Sequence, residues 1–143
     1  MKWLIIIWLV SLLPSSLSGR LTNNQIDLAE FVYREANKNA ITPDNLIKLI
    51  TCESNWDINA KGDYRSETGE YMAFGPMQWW KSSFDIYSKK YNFKGNYWNA
   101  EDQITLAVKV ISNEKNGIYN WYNCSKIIGY NKKFEYISLD KKL

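Results

Sequence analysis

Apolar residues recur at helical spacing over three stretches of this chain. From Asn24 to about Lys38, Ile26, Leu28, Ala29, Phe31 and Val32 predict a first helix. Thr42-Pro43-Asp44 then reads as a helix start, with Thr as N-cap, Pro at the first helical position and Asp in the first turn. The helix it opens runs through Leu46, Ile47, Leu49 and Ile50 to about Asn55. Periodicity is lost from Asn59 to Phe74, where Gly62, Asp63, Ser66, Thr68 and Gly69 predict turns and a short hairpin. Phe84, Ile86 and Tyr87 predict a helix over about Lys81 to Tyr91. After a loop, Asn99 with Asp102 resembles a capping arrangement. The helix it starts, with Ile104, Ala107, Val108 and Ile111 on one face, extends to about Asn116, and Gly117 suits its stop. From Lys126 onward the chain is polar and Lys-rich, with scattered Ile, Phe and Tyr, which predicts a tail that packs loosely or not at all. The fold class is therefore mainly α (α+β), with one small irregular or β-hairpin insert, and no repeat or linker divides the chain.

The N-terminus is patterned differently. Lys2 precedes an apolar run from Trp3 to Leu13, broken only by Ser11, and Pro14-Ser15-Ser16 ends it. Ser16-Leu17-Ser18 offers small residues where a signal peptidase reads, so cleavage is expected before Gly19. The run is short for a membrane span, although an uncleaved anchor is the alternative. An exported protein is expected, in a periplasm, a cell envelope or the extracellular space. Export also sets the reading of the two cysteines, Cys52 and Cys124, as a disulfide, the alternative being two buried free thiols.

The chain has 143 residues, enough for one core. Seven Trp and ten Tyr are too many to be buried in a domain of that size, so some rings are expected on a surface or groove, where they suit sugars. The sequence has no His, which excludes a His general base, a Ser–His pair and most zinc sites. No cofactor and no metal are expected. The net charge of +3 suits an anionic polymer and is too small and scattered to argue for nucleic acid. Catalysis would have to come from carboxylates, Tyr, Lys or Cys. Leu46, Leu49, Ile50 and Glu53 are spaced i, i+3, i+4 and i+7, which puts Glu53 on an apolar stripe near the negative end of a helix. Both features favour the protonated form that a general acid needs. The competing reading is a Glu at a frayed end, pointing to water.

Glu53-Ser54, Asn59-Ala60, Gly62-Asp63 and then Phe74-Gly75-Pro76-Met77-Gln78 resemble the soluble lytic transglycosylase and goose-type lysozyme family. Glu101-Asp102-Gln103-Ile104 resembles the start of that family's later core helix. Gly117, Tyr119, Trp121 and Cys124 resemble its closing aromatic segment, so the likeness covers about Leu21 to Cys124. The sequence departs from the family at Pro76 and Ala73, and in a longer insert from Asp63 to Met72.

The resemblance implies a lysozyme-like fold and cleavage of the β-1,4 bond between N-acetylmuramic acid and N-acetylglucosamine in peptidoglycan. Glu53 would be the catalytic acid, and Ser54 and Gln78 would bond the substrate or hold Glu53. Gly75 would let backbone approach the sugar, and Met77 would pack beneath the site. Trp79, Trp98, Tyr119 and Trp121 are expected along the glycan groove, whereas Trp56 is expected to pack against the fold. Asp63, Glu67 and Glu70 are solvated-loop residues or, Asp63 first, a second catalytic carboxylate. With a second carboxylate the enzyme would be a lysozyme. A non-catalytic glycan-binding protein is the reading from another class. Residues 1–18 are thus expected to be a signal peptide, 19–125 the catalytic domain and 126–143 a tail. The partners are glycan strands, with a membrane or secretion apparatus left open, and the protein is expected to act as a monomer.

Overall fold

The computed structural model describes residues 22–129. The expected signal segment and the part of the tail beyond 129 lie outside the described residues. Five α-helices, one 3-10 helix and three strands occupy them: α1 Asn23–Lys38, α2 Pro43–Ser54, β1 Lys61–Arg65, β2 Glu70–Phe74, β3 Trp79–Trp80, α3 Lys81–Lys90, α4 Ala100–Asn113, the 3-10 helix Gly117–Trp121 and α5 Tyr122–Ile127. The chain is mainly helical with a small antiparallel sheet in the order β1-β2-β3. No described helix is long and apolar enough to cross a membrane.

The helix starts obey local chemistry, with two departures from expectation. Thr22 caps α1 through a capping box: its hydroxyl accepts from Gln25 N, and Gln25 Oε1 accepts from Thr22 N. Thr42 occupies the N-cap of α2, but its side chain makes no capping bond, so Pro43 and Asp44 shape that first turn. Asn99 caps α4 by accepting from Asp102 N at 2.9 Å. The Asp102 carboxylate turns instead to Asn96 N, at 2.8 Å, and so fastens the preceding loop rather than completing a box. Helix α4 ends at Asn113, and Gly117 begins the 3-10 helix rather than stopping α4. Space dictates glycine there, because a Cβ would run into the Val110 carbonyl.

Helix α4 is the centre of the core. Gln103, Ile104, Leu106, Ala107, Val108, Val110 and Ile111 are all buried, so apolar side chains surround most of it. Helices α1 and α3 and the 3-10 helix pack on α4, while α1 also packs on α2. Buried Gln103 is spent on structure. Its amide donates to Tyr97 O at 2.7 Å and accepts from Met77 N, tying the turn after β2 to α4.

Cys52 on α2 and Cys124 on α5 form a disulfide. Helix α5 runs to Ile127 and so crosses the expected boundary at residue 125 without a break.

Candidate functional site

Glu53 is the last residue but one of α2. Its helix stripe, Leu46, Leu49 and Ile50, is fully buried, and Glu53 itself is half-buried. The chain leaves the helix sharply there. Asn55 and Trp56 both take left-handed backbone conformations, with φ of 51° and 67°. Asn55 N closes the last turn onto Thr51 O, and the Trp56 indole drops into the core to donate to Thr51 Oγ1 at 2.9 Å. This anchor fixes the end of α2 and with it the direction of Glu53.

Glu53 lines a cleft of about 510 Å³. The hairpin contributes Gly62, Asp63 and Ala73; the β2–β3 turn and β3 contribute Gln78, Trp79 and Trp80; the 3-10 helix and α5 contribute Asn120, Trp121, Tyr122 and Asn123. Burial in the cleft, and secondarily the negative charge of Asp63, push the Glu53 carboxyl from its ordinary 4.5 up to about 7. No Lys or Arg is among the lining residues. The result is a carboxylic acid that keeps its proton close to neutral pH and opens onto a solvent-filled groove. Such a group can protonate a leaving oxygen and afterwards serve as a base.

The turn that completes the cleft depends on two close approaches. Gln78 has φ 49°, and its amide donates to Gly75 O at 2.9 Å and Ala60 O at 3.2 Å. A Cβ on Gly62 would collide with Gln78 Oε1, so a side chain there would have to push this amide off its carbonyl partners. Gly75, at φ 78°, packs against the Gln103 side chain with no room for a Cβ. Its lack of a side chain serves the contact between turn and core.

Among the residues singled out from sequence, Glu53, Asp63, Gln78, Trp79 and Trp121 come together around the cleft. Ser54, Gly75, Met77, Trp98 and Tyr119 are not among its lining residues. Ser54 spends its hydroxyl on Ile50 O within the helix, at 3.1 Å. Met77 is wholly buried in the core. Trp98 is 64% exposed and stands edge-on to Phe74 and Tyr97, beside two other grooves. Tyr119 is half exposed and pairs with Tyr122.

Trp79 and Trp121 line the cleft from within the core. They meet edge to face at 4.9 Å, and their indole N–H groups are committed to Gln103 O and Met77 O. Both are almost fully buried, so they form the floor of the groove rather than free stacking platforms. Glu67 and Glu70 lie exposed on the hairpin and do not line the cleft.

Sequence reasoning misses Trp80, Ser83, Asn120, Tyr122 and Asn123, all of which line the cleft. A signal for some of them exists. In a strand successive side chains face opposite ways, so if Trp79 is core then Trp80 turns outward. Comparison with known proteins gives no match: no family model, no curated protein and no solved structure matches this chain.

Proposed function

We propose that the protein is an exported peptidoglycan lytic transglycosylase with a lysozyme-like fold. It would cleave the β-1,4 bond between N-acetylmuramic acid and N-acetylglucosamine. The observation that carries this reading is the Glu53 carboxyl, whose pKa is raised to about 7 at the wall of an open groove. In this mechanism Glu53 gives its proton to the glycosidic oxygen as the bond from that oxygen to the muramic C1 breaks. The positive charge left on the sugar is then quenched by its own 6-hydroxyl. Glu53, now a carboxylate, takes the proton of that hydroxyl as the oxygen bonds to C1. The product is a 1,6-anhydro ring, no water is consumed, and Glu53 returns to its acid form.

A second reading, a lysozyme-type hydrolase, is favoured by one observation: Asp63 lines the same cleft as Glu53. A second carboxylate could position water or stabilise the cation. Mass spectrometry of products from purified cell wall separates the readings. Anhydro-muramic ends are expected. Reducing ends, together with a large loss of activity in Asp63→Asn, would establish the hydrolase instead. Glycan binding without any cleavage would leave a non-catalytic binding protein.

A further inference from the structure

Asp63 does not sit in its strand as a regular β residue. Its φ of 52° is left-handed, and the ladder pairs Gly62 with Ala73 and Tyr64 with Tyr71 while passing over it. Asp63 lines the same cleft as Glu53. A carboxylate on an exposed hairpin would ordinarily sample several rotamers. This one accepts the indole N–H of Trp80, Nε1 to Oδ2, at 2.6 Å. A hydrogen bond to an ionised acceptor is among the stronger kinds.

Trp80 is itself held. It is half-buried in β3, which pairs with β2 through Ala73↔Trp80, and it is the N-cap residue of α3. The Arg65 guanidinium lies over its ring, with the central carbon 5.0 Å from the centroid.

We propose that Trp80 is a positioning residue whose indole N–H fixes the Asp63 carboxylate inside the cleft as the standing negative charge facing Glu53. The proposal rests on the reading of Glu53 as the acid. It gives a role to the left-handed backbone of Asp63, where an extended conformation would cost less. Asp63 is the charged group that acts on Glu53, after burial itself. From the other elements around the cleft, α3 offers Ser83, and the 3-10 helix and α5 offer Asn120, Asn123 and one titratable group, Tyr122. Arg65 is engaged over the Trp80 ring, and Lys81 is paired with Asp85. No lining cation therefore offsets Asp63. If the Trp80 N–H is removed, the Asp63 carboxylate is free to swing into water, its repulsion is screened, and Glu53 releases its proton at a lower pH.

The test is a carbon-13 NMR titration of the Glu53 carboxyl in the wild type, Trp80→Phe, Asp63→Asn and the double variant. Phe keeps an aromatic ring at this position and removes the donor, and the double variant separates the loss of the donor from the loss of indole volume. Both single variants are expected to lower the Glu53 midpoint, Asp63→Asn by more, and Trp80→Phe should add nothing on the Asp63→Asn background. A folded Trp80→Phe with an unmoved midpoint, or an equal shift on both backgrounds, would overturn the proposal. If Trp80→Phe fails to fold, the wild-type Trp80 indole proton decides. It should shift upfield in Asp63→Asn, and an indifferent indole proton would overturn the proposal. The acid assignment is judged separately, by activity of Glu53→Gln on cell wall. A cleaving Glu53→Gln would remove that assignment while the titration still decides what Trp80 does.

Discussion

Glu53 sits where burial, a neighbouring carboxylate and the negative end of a helix all disfavour its charge. Two pH dependences follow. On the proposed mechanism cleavage needs the protonated form, so the rate should fall as pH rises through about 7. Glu53→Gln should lose at least ~100-fold in activity, the low end of what general acid catalysis contributes. A pH–rate profile on purified cell wall checks both, and activity of the variant within tenfold of the parent would refute the assignment. Stability runs in parallel. The folded carboxyl holds its proton up to about 7, against 4.5 for the ordinary group, so its favourable contribution is complete below about 4.5 and is lost as pH rises through 7. Gln stays neutral, so Glu53→Gln should melt at the same temperature as the parent near pH 4 and at a higher one at pH 8. A tenfold change in acidity corresponds to about 1.4 kcal/mol, but the groove is open to solvent and only a gain on the order of 1 kcal/mol is expected. Glu53 is legible in the sequence because the i, i+3, i+4, i+7 spacing and the Glu-Ser pair both mark it. Asp63 is legible less sharply. Its position depends on a left-handed backbone that alternation along the strand does not encode.

The helices are legible because each buries a periodic stripe: α1, α2, α3 and α4 lie within a few residues of where the apolar spacing puts them. Strand β3 is not, since two residues give no period to read. Gly117 misleads because its requirement is spatial, set by the Val110 carbonyl of a preceding turn. The aromatics show the same limit. Residue type alone puts Trp79, Trp98, Tyr119 and Trp121 in one groove, but the elements that carry them face different ways. The floor residues Trp79 and Trp121 anchor β3 and the 3-10 helix onto the core, through Gln103 O and Met77 O. Trp79→Ala or Trp121→Ala should cost roughly 3–5 kcal/mol of stability, as for other buried aromatics. Trp98→Ala, at a position 64% exposed, should change stability by less than about 1 kcal/mol. Urea unfolding of the three variants checks the division, and comparable losses in all three would place Trp98 in the core as well.

At the scale of the whole molecule the groove has two walls that come from well-separated stretches of the described chain. One is the end of α2 with the hairpin that follows it. The other is the 3-10 helix, packed on α4, and α5, packed on α2. The Cys52–Cys124 disulfide crosses between them, 72 residues apart in sequence, and Cys52 immediately precedes Glu53. On the chain-entropy account a loop of that length is worth about 4 kcal/mol, though real bridges often give less. For a domain of this size such a loss lowers the melting temperature by on the order of ten degrees. The bridge also has a local effect. Helix α5 is only six residues long, too short to hold itself against the core by helical propensity, so the disulfide adds to the Trp121 anchor in keeping its Asn123 and Cys124 at the groove. Cys52→Ser/Cys124→Ser should therefore lose activity at temperatures where the rest of the fold is intact. Amide exchange in α5 should rise well before exchange in α4, which is buried on most sides. Circular dichroism melting, cell-wall turnover and hydrogen exchange on the one double variant test this ordering. Activity and α5 protection that fall only together with α4 would mean that the disulfide supports the molecule globally and not the wall of the groove.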